Sequence, residues 1–101
     1  MAKLTIREKL ATVRRKASAR KLKIRKDRRL LQTPYRAMNE FAGKELKQPH
    51  IKGYITYSPQ IKTKKMLVMD LNHEIIEYDK MKKGWKYKRA HKLANRKQRS
   101  F

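Results

Sequence analysis

Positive charge is spread so unevenly along this chain that it decides which parts can fold unaided. Of 101 residues, 30 are Lys or Arg and 8 are Asp or Glu, a formal net charge of +22. Residues 1–36 hold 14 basic and 2 acidic side chains, residues 37–81 hold 7 and 6, and residues 82–101 hold 9 and none. A nearly neutral centre therefore carries a cationic segment at each end. Each end repels itself in water, and high net charge with sparse apolar content opposes a packed state. An anionic surface removes that repulsion, so the ends are expected to order against something large and negative. Apolar residues make up 39%, below the roughly 45–50% of ordinary globular domains. The core is expected to be modest, as in any chain this short.

Several classes fall away at once. The chain has no cysteine, which excludes a disulfide framework, a thiolate zinc finger and thiol chemistry. No apolar run approaches the roughly 18 residues of a membrane span, so no membrane partner is expected. The first thirty residues are Arg-rich and acid-poor, the composition of an organelle presequence; the expectation adopted is that they belong to the working protein.

The expected fold is α+β, in three segments: a basic helical arm over 1–33, a small α+β body over 34–88 and a basic C-terminal tail over 89–101. Residues 7–31 read as one long helix, because Ile6, Leu10, Val13, Ala17, Ile24 and Leu31 fall in a narrow arc at about 100° per residue. No glycine or proline interrupts that run. Thr33 and Pro34 read as the N-cap and first position of a short second helix over 34–47, with Met38, Phe41, Ala42 and Leu46 as its apolar face. Tyr54–Tyr57 has strand composition. Lys65–Leu71 and Glu74–Asp79 read as two further strands around a turn at Asn72-His73, and Gly84–Lys88 as a fourth strand or extended segment. The sum is a small antiparallel meander of three to four strands.

Chemistry-bearing residues are few. His50, His73 and His91 read as lacking a partner at the i+4 spacing of a helical zinc motif, and no cysteine can complete a set. His73 beside Asn72 and Glu74 suggests a metal-dependent nuclease turn, and reads more simply as a polar hairpin turn. Asp70, Glu77 and Asp79 on neighbouring strands offer a divalent-ion site, yet acids there also keep the centre neutral. Only Gly43, Gly53 and Gly84 occur, too far apart for a phosphate-binding loop. The expectation is a protein that is not an enzyme, with no metal and no cofactor.

Binding is the richer signal. Lys and Arg grip phosphate and position a protein without reading bases, and the arginine fork does so bidentately. The backbone-contacting set is expected to be Arg14, Arg15, Lys16, Arg20, Lys21, Arg25, Lys26, Arg28, Arg29, Lys86, Lys88, Arg89, Arg96, Lys97 and Arg99. Trp85 and Tyr87, interleaved with lysines, suit stacking on unpaired RNA bases; Trp85 serves equally well as a core anchor.

This layout, a compact neutral centre with cationic extensions, resembles that of small ribosomal proteins, a likeness of architecture and composition without a shared motif. It implies a structural component of a ribosome or other ribonucleoprotein particle that neutralises and bridges RNA backbone segments. The partners would be rRNA and neighbouring proteins, in the cytoplasm or an organelle matrix. Two alternatives stand beside it. One is a non-specific DNA-binding or compacting protein of chromatin or phage origin. The other is a small basic regulator docking on an acidic surface of a polymerase or nuclease.

Overall fold

The computed structural model describes residues 4–48 and 51–97. The order is α1 (Ile6–Ala19), β1 (Lys23–Lys26), a 3-10 segment (Arg28–Gln32), β2 (Ala37–Asn39), α2 (Glu40–Glu45), β3 (Tyr54–Tyr57), α3 (Lys64–Lys82) and α4 (Tyr87–Lys97). The α+β class holds; its parts differ from the expected ones in instructive ways.

Helix α1 starts with a capping box. The Thr5 hydroxyl accepts from the Glu8 N–H and the Glu8 carboxylate accepts from the Thr5 N–H, both at 3.1 Å. These satisfy two of the donors that a helix start leaves unpaired. The helix stops at Ala19 rather than continuing to residue 31. Lys21 turns left-handed at φ 60°, its N–H donates to Ser18 C=O and the Leu22 N–H donates to Ala17 C=O, each at 2.9 Å. Those two bonds define a Schellman stop. Glycine normally fills the left-handed position because it has no β-carbon to clash. Here a lysine fills it, so the sequence shows no break. Ile24 then falls in β1 and Leu31 in the exposed end of the 3-10 segment.

The second helix is α2, shorter than expected. Its cap is Asn39, whose side-chain oxygen accepts from the Phe41 and Ala42 N–H groups at 3.0 Å each. Thr33 instead closes the 3-10 segment, donating its N–H to Leu30 C=O at 3.0 Å. Strand β2, not a helix start, occupies Ala37–Asn39.

The antiparallel meander is replaced by a three-stranded mixed sheet in the order β1-β3-β2. Strand β3, Tyr54–Tyr57 as expected, runs parallel to β1 (Lys23 opposite Tyr54) and antiparallel to β2 (Asn39 opposite Ile55). The two segments taken for strands after residue 65 form the single helix α3, with the Asn72-His73 pair at its middle. Thr63 caps it, accepting from the Met66 N–H at 3.1 Å. Leu67, Val68, Leu71, Ile75 and Tyr78 make its apolar stripe, while Asp70, His73, Glu74 and Glu77 make a polar face that is also buried. A helix buried on both faces carries little period-3.6 contrast, and short apolar runs then read as strands. Gly84 does not open a fourth strand. It adopts φ 101° at the end of α3, where the Trp85 N–H donates to Lys80 C=O at 3.1 Å. Tyr87–Lys97 beyond it form α4, so the basic tail is helical through Lys97.

α3 is the hub. One apolar cluster joins Val13, Ala17 and Leu22 to Ile55, Val68, Leu71, Ile75 and Tyr78. A second joins Leu30, Met38, Ala42 and Ile51 to Met81 and Ala90. Both basic ends of the chain are thus anchored by apolar contacts, with α1 and α4 each packed on α3. Ala90 and Ala94 are fully buried, and their small side chains let α4 lie close to its neighbour.

Candidate functional site

Spacing along α3 brings Asp70, His73, Glu74 and Glu77 onto one face, since positions i, i+3, i+4 and i+7 of a helix align. α4 faces them with Tyr87 and His91, four residues apart, and the end of β2 adds Asn39. Three of these side chains converge. Glu77 Oε2 lies 3.0 Å from His73 Nε2 and 2.9 Å from His91 Nδ1, and the two ring nitrogens are 3.1 Å apart. Among the described residues, this is the group whose ligand atoms are close enough to share a metal ion.

The surroundings hold the group in place. Asn39 Nδ2 donates to Glu74 Oε1 and to Glu77 Oε1, at 3.1 Å each, so one amide fixes both carboxylates. The Tyr87 ring stacks on the His91 imidazole at 5.1 Å between centroids. Glu77 is 1% exposed and Glu74 5%. Burial, and then the neighbouring Glu77, pushes the Glu74 carboxyl up to about 8, against the opposing pull of His73 and Asn39. Burial also raises the Tyr87 hydroxyl well above its ordinary range, with Glu77 and Glu74 adding to the effect. Asp70 is raised by burial, opposed by Arg36 and His73. Its Oδ1 accepts from Arg36 Nη2 at 3.1 Å, whereas its buried Oδ2 has no hydrogen-bond partner. A cavity of about 420 Å³ opens beside the group, lined by residues 34–37 and by Asp70, His73, Glu74, Tyr87 and His91.

The cations expected to hold nucleic acid lie elsewhere. Arg14, Arg15, Lys21, Lys26, Arg28, Arg29, Lys86, Lys88, Arg89, Arg96 and Lys97 are exposed, while Lys16, Arg20 and Arg25 are half-buried. Arg99 lies outside the described residues, as does His50. Arg20 grips Asp79 with two bonds of 2.6 and 2.7 Å, tying α1 to α3. Arg29 Nε donates to Asp27 at 3.3 Å, and Arg25 lies over the Tyr54 ring at 4.0 Å. The Trp85 ring carries Arg89 at 3.8 Å and Lys80 at 5.0 Å while packing on the second apolar cluster. Its surroundings are those of a core-edge anchor, and Tyr87 belongs to the buried group.

Asp70, Glu77 and Asp79 are not brought together, because Asp79 faces α1. Asn39 and the meeting of His73 with His91 were not legible as a site, whereas Glu74 beside His73 reads from the sequence as a polar hairpin turn. The signal was present as a helical His-Glu-x-x-Glu run over 73–77, and reading residues 65–79 as strands hid it. Comparison with protein-family models, with curated proteins and with solved structures finds no match for this chain.

Proposed function

We propose that the protein binds nucleic acid through the phosphate backbone, with the RNA of a ribonucleoprotein particle as its leading target. One observation carries this reading: among the described residues, 23 Lys and Arg side chains are exposed against two exposed carboxylates, Glu8 and Glu45. The other six acids are buried or half-buried. They are spent on internal work: Asp79 on Arg20, Asp70 on Arg36, Asp27 on Arg29, Glu40 on the Gly53 N–H, and Glu74 and Glu77 on Asn39. The outer surface is left with almost unopposed positive charge, the footprint of a phosphate binder. With Trp85 covered by Arg89 and Lys80, the reading rests on backbone contacts rather than base stacking.

Fluorescence anisotropy with labelled single-stranded RNA, hairpin RNA and duplex DNA of mixed sequence tests it. Binding to RNA that weakens when Arg14, Arg15 and Arg28 are changed together to Gln is the expected result. Tighter binding to duplex DNA, indifferent to sequence, moves the protein to the DNA-compacting alternative. Binding to none of the three at 100 mM salt overturns the proposal.

A further inference from the structure

We propose that His73, Glu77 and His91 are the ligands of a divalent transition-metal ion of the zinc type, and that Glu74 is the proton acceptor beside it in a centre that hydrolyses phosphodiester bonds. The metal site stands on its own geometry, and the choice of substrate rests on the nucleic-acid reading above.

Distances come first. The three inward-facing atoms form a triangle with sides of 2.9, 3.0 and 3.1 Å. A tetrahedral ion with bonds of about 2.0–2.1 Å sets its ligand atoms about 3.3 Å apart and sits about 0.7 Å above the plane of any three. The triangle is therefore within a few tenths of an ångström of the coordinating one.

Protons provide a second argument. A hydrogen bond needs one donor and one acceptor along each edge. Two imidazole nitrogens and a carboxylate oxygen, each within 3.1 Å of the other two, satisfy at most two of three edges. The third sets N–H against N–H, or lone pair against lone pair. A cation at the centre is attracted to all three atoms. It also compensates the burial of Glu77, in a region where unpaired charge is costly.

Support and access complete the site. Asn39 clamps Glu77 through Oε1 and leaves Oε2 for the centre, the role of an outer-shell partner that orients a ligand. Two histidines and a glutamate make one of the known ligand sets of catalytic zinc, which keeps a fourth position for water. His73 and His91 both line the cavity, as does Glu74, whose Oε2 lies 3.8 Å from His73 Nε2. A glutamate directly after the first histidine of a helical ligand pair is placed to take a proton from metal-bound water. Asp70, whose Oδ2 is buried without a partner, is among the residues lining the same cavity. Nitrogen ligands favour a zinc-type ion over magnesium.

The reaction is hydrolysis without redox change. The charge of the bound ion favours the ionised Glu74 carboxylate; water on the metal passes a proton to it, and the resulting hydroxide attacks phosphorus. The bond from phosphorus to one sugar oxygen breaks, and Glu74 returns the proton to that oxygen. One water and one diester give one phosphomonoester and one hydroxyl. A polyanion is drawn to this surface, whereas a neutral peptide gains nothing from it.

The test uses the full chain, stripped with chelator and titrated with Co²⁺ and then Zn²⁺. Ligand-field bands of four-coordinate cobalt at one ion per chain, displaced by zinc, are expected. Glu77→Gln and His91→Asn, checked for folding by circular dichroism, lose them. Absence of the bands in the wild-type chain overturns the metal site, whatever the variants do. Labelled single-stranded RNA and DNA are then incubated with the zinc-loaded protein. Glu74→Gln retains the cobalt spectrum while cleavage falls at least about 100-fold. The strand cut faster identifies which nucleic acid is the substrate. Metal and nucleic acid both bound with no cleavage overturns the hydrolytic step. Metal bound with no nucleic acid retained marks failure of the binding reading and overturns the substrate assignment.

Discussion

Gly43 stands where a β-carbon would fall 2.9 Å from the Gln48 carbonyl oxygen and 3.2 Å from Ile51 Cβ. The carbonyl belongs to the backbone and cannot swing aside, so Gly43→Ala is expected to cost about 1–3 kcal/mol by overpacking, measured as a fall in the denaturant midpoint. The same substitution on an open helix would help, so a neutral or stabilising result refutes the close approach. Asp70 makes a second case. Burial holds its carboxyl above the ordinary value of 3.8, so the fold favours the protonated form. Stability is then full below about pH 4 and declines as pH rises through the raised folded value. In metal-free protein, Asp70→Asn is expected to gain in melting temperature relative to wild type between pH 4 and pH 7. A difference that stays constant over that range refutes the assignment. A buried carboxylate oxygen with no partner is a standing cost, of the kind retained where a ligand uses it.

At the level of elements, the decisive events are the two stops that shape the ends of α1 and α3. Both are Schellman turns, and one is written with Gly84 while the other is written with Lys21. A left-handed lysine costs roughly 1 kcal/mol that glycine avoids. Lys21→Gly is therefore expected to raise stability by about 0.5–1 kcal/mol, read by thermal unfolding, provided α1 truly ends there. A helix running on to residue 31 would instead lose about that amount, because glycine is a poor interior residue. Apolar spacing made α1 legible from Ile6 to Ala17, and aromatic and β-branched composition made β3 legible. α3 was not, because both its faces are buried and its polar face reads as the punctuation between strands. The candidate site was lost with it: Glu74 and Glu77 look like strand acids until His73 is seen four residues before Glu77 on a helix.

For the whole molecule, the radius of gyration of 12.8 Å matches the roughly 13 Å of a compact chain of this length. The basic ends are therefore wrapped on the body rather than trailing from it. Charge sits on the outside of a small body measuring 42 × 29 × 24 Å. If six to ten phosphates are engaged, affinity is expected to fall about 10³–10⁵-fold between 50 and 200 mM salt. Anisotropy titrations across that range measure the slope. A flat response refutes binding through the phosphate backbone. The buried centre responds differently: cobalt loading is expected to change little over the same salt range, because buried groups are weakly screened.

Net charge, the absence of cysteine and the apolar spacing of α1 are properties of the sequence itself, and they set the proposal of a polyanionic partner, the excluded thiol chemistries and the α+β mixture. Charge does not depend on folding, and neither does the lack of a residue type. Tertiary structure decided the rest. It turned six acids inward and left the cations outside. It also brought His91 of α4 within 3.1 Å of His73 of α3, across eighteen residues that local pattern could not bridge. A site of this kind is a juxtaposition of helices, and the packing of α4 on α3, with Ala90 in the cluster that holds Met81, brings its halves together.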